Sequence, residues 1–72
     1  MLDGVQNTPA LSRREMQCLT QLAMGLSVEE IACRLSISAG TVTKYLNTAR
    51  MKKKARNRSH LIAIAFREQI LP

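Results

Sequence analysis

With 72 residues, 46% apolar but only Tyr45 and Phe66 aromatic, the chain can hold one small domain with an aliphatic core, which favours a helical bundle over a sandwich. Eleven Lys and Arg against five Asp and Glu give a formal net charge of +6 and a pI of about 10.2, a balance that suits a polyanionic partner. Two cysteines and one histidine cannot complete a four-ligand zinc site, so no metal and no cofactor are expected.

Residues 1–10, "MLDGVQNTPA", lack periodicity and read as a flexible tail or linker stub, with the domain proper at 11–70. Ser12 and Glu15 have capping-box spacing, with Leu11 and Met16 at the hydrophobic-staple positions around them. Met16, Leu19, Leu22 and Ala23 then follow at helical spacing, and Gly25 suits a helix stop. This predicts a first helix over about 13–24. Ser27 with Glu30 repeats the grammar, and Ile31, Ala32 and Leu35 give the face of a second helix over about 28–35. After "SIS" at 36–38, with Ile37 turned inward and Ser38 as cap, a third helix is predicted over about 39–53. Asn57 caps a fourth over about 58–68, whose run Leu61-Ile62-Ala63-Ile64-Ala65-Phe66 exceeds what one helix face can offer a small core. The fold class is therefore all-α, a four-helix bundle with a central helix-turn-helix. Cys18 and Cys33 lie inside these patterns and are expected as buried free thiols. No leader and no apolar run near 18 residues is visible, so the chain reads as cytoplasmic and not as a membrane protein.

Charge is concentrated in one place. Lys44, Arg50, Lys52, Lys53, Lys54, Arg56 and Arg58 follow one another without an intervening acid. At 3.6 residues per turn, Val42, Leu46 and Ala49 fall within about 40° of one line of the third helix, its core side. Gly40, Lys44, Asn47 and Met51 fall within about 40° of the opposite line, with Thr43 on its flank. A merely solvated face would mix Glu with Lys, and this helix has no acid. Asn can address an adenine edge, Thr a thymine methyl or a hydrogen-bonding edge, and Lys a guanine or a phosphate. Thr43, Lys44 and Asn47 are thus the candidates for reading bases. Arg50, Lys52, Lys54, Arg56 and Arg58 suit phosphates, and five such contacts would give a salt slope of roughly −4 to −5. A membrane surface would need large hydrophobes opposite the cations, and that stripe is better used as core. Arg13 and Arg14 oppose the dipole of the first helix. Either they pair with acids such as Glu15 or Glu29, the reading preferred here, or they lie where DNA passes. No arrangement of nucleophile, base or phosphate loop suggests an enzyme.

"LSRREMQCLTQLAMGLSVEEIACRLSISAGTVTKYLNTARMK…NR" resembles the LuxR-type (GerE-type) DNA-binding domain of bacterial transcription regulators. The matching marks are Leu11, Arg14-Glu15, Leu19, Gly25, "EEIA" at 29–32, Leu35, Ile37-Ser38, Thr41-Val42, Lys52 and Arg58. The resemblance implies a third helix in the major groove of double-stranded DNA, with base contacts at Thr43, Lys44 and Asn47. It adds backbone contacts near Thr41 and Tyr45 and a homodimer through the fourth helix, at His60 and Ile64, on a palindromic site. RNA polymerase is a further expected partner. "HLIAIAFREQIL" looks most like the quorum-sensing branch that binds acyl-homoserine lactones. Two departures stand out. Tyr45 replaces a frequent histidine, and Lys53-Lys54-Ala55 replaces the usual Leu-Gly-Val. Lys53 would fall on the buried side, so either its stem runs along the core edge or the helix ends earlier. The alternative function is an interaction protein that pairs through the fourth helix with a full-length regulator and inhibits it.

Overall fold

The computed structural model describes residues 10–68, which form α1 (Arg13–Ala23), α2 (Val28–Leu35), α3 (Ala39–Lys52) and α4 (Arg58–Arg67). Every boundary lies within one residue of its sequence expectation, because each helix is fenced by local chemistry. Ser12, Ser27, Ser38 and Asn57 each accept, through the side chain, the backbone N–H three residues on. At Ser12 and Ser27 the box is closed by Glu15 and Glu30, which accept the N–H of the serine in return.

The three turns share one device. The N–H groups of Leu26, Ile37 and Ala55 donate to the carbonyls of Gln21, Ala32 and Arg50, five residues back, at 3.2, 3.0 and 2.9 Å. The residue before each donates to the carbonyl three back, which makes the pair a Schellman closure. That closure needs a left-handed residue, and the three are Gly25 (φ 97°), Ser36 (φ 57°) and Lys54 (φ 55°). Glycine takes such a φ freely, whereas a residue with a Cβ is disfavoured by about 1–2 kcal/mol. The usual glycine is missing at Lys54, yet the turn keeps the left-handed form.

α3 packs against all three other helices and divides the core in two. On one side Cys18, Ile31, Ala32, Val42 and Leu46 join α1, α2 and the first half of α3, with Ile37 and Tyr45 packed around them. On the other, Leu19, Ala49, Ala55, Leu61, Ile64 and Ala65 join α1, the end of α3 and α4. Several expectations are corrected by this packing. Cys18 is buried but Cys33 is exposed, since it lies on the side of α2 away from Ile31 and Leu35. Met16 is exposed because the inward edge of α1 is set by Glu15, Cys18 and Leu19, and of the expected staple only Leu11 packs on the core. The expected tail at 1–10 and the chain end lie outside the described residues but for Ala10. Among the described residues no helix is long and apolar enough to cross a membrane.

Candidate nucleic-acid interface

The first turn of α3 is fixed by Ser38, whose Oγ accepts the Thr41 N–H at 3.0 Å and shares a hydrogen bond with Thr41 Oγ1 at 2.8 Å. From that anchor Val42, Leu46 and Ala49 point into the core, so the opposite side must face outward. Gly40, Lys44, Asn47 and Met51 are exposed there and Thr43 is half-buried on the flank. Met51 is 69% exposed. The three candidate base readers therefore stand together on one open, acid-free surface. Tyr45 lies half-buried on the helix-turn-helix side of the core, and its hydroxyl bonds no protein group among the described residues.

The basic cluster divides into engaged and open cations. Lys52, expected at phosphate, is engaged within the protein. Its ammonium lies 2.8 Å from Glu15 Oε1 and 3.4 Å from the Ala10 carbonyl oxygen. The same Oε1 accepts the Ser12 N–H at 2.9 Å, so a buried carboxylate closes a helix cap and holds the end of α3. Burial pushes the Glu15 carboxyl up, but the hydrogen bonds from Lys52 and Ser12 and the nearby ammonium together hold it below its ordinary value. Lys53 resolves both alternatives at once. α3 ends one residue earlier than expected, and the Lys53 side chain, 8% exposed, runs along the core edge to place its Nζ 3.0 Å from Glu68 Oε1. Arg50 donates from Nη1 to the Ala55 carbonyl oxygen at 3.2 Å and so helps close the corner. Lys44, Lys54 and Arg56 are exposed and Arg58 half-buried. These four make no ion pair with an acid among the described residues.

The two residues expected at a dimer contact are not equivalent. Ile64 is 5% exposed and belongs to the core between α1, α3 and α4, so it has almost no surface for a mate. His60 is half-buried, and its Nδ1 accepts the Arg56 N–H at 3.0 Å while its own N–H donates to Asn57 Oδ1 at 2.8 Å. What α4 leaves outside is Phe66, 50% exposed, beside exposed Ala63. Arg13 and Arg14 are exposed and pair with neither Glu15 nor Glu29, contrary to expectation, because Glu15 turns inward to Lys52; Arg14 instead lies 3.4 Å from Gln17 Oε1. No spacing rule could have found the Glu15–Lys52 pair, whose members are 37 residues apart.

The family described as bacterial regulatory proteins, luxR family, matches residues 9–65. The transcriptional activator protein RaiR of Rhizobium etli is 52% identical over 48 residues, 67% of this chain and 20% of its own length. The response regulator RamR of Streptomyces coelicolor is 46% identical over 54 residues, 75% of this chain and 27% of its own length. A crystal structure of the response regulator ChrA in a heme-sensing two-component system superposes with a TM-score of 0.80 at 33% identity, over 92% of this chain and 33% of that one. The chain thus spans a third or less of the length of each of these relatives.

Proposed function

The chain belongs to the luxR family of bacterial regulatory proteins, DNA-binding regulators and not enzymes, and from that premise we propose that it reads a specific double-stranded site in the cytoplasm. α3 enters the major groove, where Thr43, Lys44 and Asn47 address base edges. Thr41, Tyr45, Arg50, Lys54, Arg56 and Arg58 grip the flanking backbone. Lys52, whose ammonium lies 2.8 Å from Glu15 Oε1, is the cation least free to join them. The four cations of that set, Arg50, Lys54, Arg56 and Arg58, give a salt slope of roughly −3 to −4. Two copies meet through α4 on a two-fold site, with Phe66 and Ala63 replacing Ile64 in the contact and His60 at its edge. Residues 11–70 act as the DNA-binding unit, with 1–10 as tail or linker, and regulation ends at RNA polymerase.

The observation that carries this reading is the exposed, polar, acid-free face of α3. An inhibitor acting only by pairing through α4 would have no use for it. The test is selection from random duplexes, with wild type and Thr43→Ala/Asn47→Ala compared at two salt concentrations. The expected result is a two-fold-symmetric motif for wild type, lost in the double variant while salt-dependent residual binding survives. No motif, with both proteins binding alike, would leave the α4 partner as the function to pursue.

A further inference from the structure

Gly40 is the residue on α3 that the fold itself does not explain. It lies within the first turn of a helix, where glycine is disfavoured against alanine because it loses more backbone freedom. Its backbone is not left-handed, in contrast to Gly25 at φ 97°. Packing does not require it either. A Cβ at Gly40 would meet only Ser38 Oγ, at 3.9 Å, an ordinary contact. The position is exposed, and the cap is made by Ser38 and Thr41 without it. The reason for glycine is then sought outside the molecule.

Its location narrows that reason. Gly40 lies on the same outward line as Lys44 and Asn47, one and two turns further along. A helix-turn-helix brings the first residues of its second helix against the base edges. We propose that Gly40 is a specificity-determining clearance: its bare Cα lets the major-groove edge of one base pair lie directly against the α3 backbone, at a depth a side chain would forbid. Lys44 and Asn47 reach their partners only at that depth. The inference rests on the DNA-reading function above and adds to it a position that makes no hydrogen bond of its own.

The experiment titrates the 72-residue chain and its variants G40A and G40Q against the selected duplex and against a random duplex, with thermal unfolding of each protein alongside. Both variants fold, and G40A unfolds at the wild-type temperature or about 3 °C above it. G40A loses about tenfold in affinity for the selected duplex, the scale of one disrupted base-pair contact. G40Q loses more, while the random duplex is bound by all three within about twofold. Wild-type affinity of both variants for the selected duplex would overturn the inference, and so would equal losses on both duplexes. If wild type selects no motif at all, the reading falls first, and that is visible before any variant is made.

Discussion

The two halves of the core are built differently. Between α1, α2 and the start of α3 the buried interior is Cys18, Ile31, Ala32, Val42 and Leu46, with Leu22, Leu26, Val28, Leu35 and Ile37 around them. Two closed capping boxes and a glycine at its first left-handed turn complete this half. The half under α4 is lean, with three alanines among its six buried members. Its left-handed turn carries Lys54, and it is clasped by the Lys52–Glu15 and Lys53–Glu68 pairs. The outward face of α3 is therefore mounted largely on hydrophobic packing, with the carboxylates of Glu15 and Glu30 titrating only at its caps. The corner behind it depends more on charges, and so more on salt and pH.

The largest effect that should separate the halves is Leu46→Ala. Leu46 is fully buried, and the cavity should cost about 3 kcal/mol in urea unfolding, independent of pH near neutrality. Were the loss under about 1 kcal/mol, the bulk-packed half would not be the stronger one. Next is Glu15→Gln, which keeps a cap acceptor but removes the charge that Lys52 needs, at about 1 kcal/mol near pH 7. Because the folded carboxyl titrates below its ordinary value, the wild-type contribution is complete above the ordinary carboxylate range and is lost as pH falls through the lowered folded value. The acid limb of stability should be shallower in Glu15→Gln, and identical limbs would deny the clamp. The smallest effect, and of opposite sign, is Lys54→Gly. Relief of the left-handed φ, offset by a freer unfolded chain, should stabilise the fold by about 0.5 kcal/mol. The same change should weaken DNA binding uniformly across sequences and reduce the salt slope by about 1.

Legibility in the sequence follows the same division. Helix limits, all four caps and the outward line of Gly40, Lys44, Asn47 and Met51 depend on residues within a few positions of one another. The 3.6-residue period reports such neighbours directly. Asn57 was equally readable as the fourth cap. The corner was not. Whether Lys52 meets a phosphate or a carboxylate depends on Glu15, one helix away in space and half the chain away in sequence. Ile64 and Phe66 could be told apart only once the roll of α4 was known, because all six residues from Leu61 to Phe66 are apolar. Cys33 misled for a related reason. Sitting between apolar neighbours in the chain does not put a side chain on their face of a helix.

The Glu15–Lys52 clasp also has a meaning in time. Caps and Schellman turns close loops of a few residues and can form early, whereas this pair must wait for a loop of 37 residues to shut. An interaction made after the barrier sets how fast a protein comes apart rather than how fast it goes together. Glu15→Gln should thus leave the folding limb of a chevron nearly in place and raise the unfolding limb. A raised unfolding limb with the folding limb unmoved would identify the clasp as a latch that shuts after the domain has assembled.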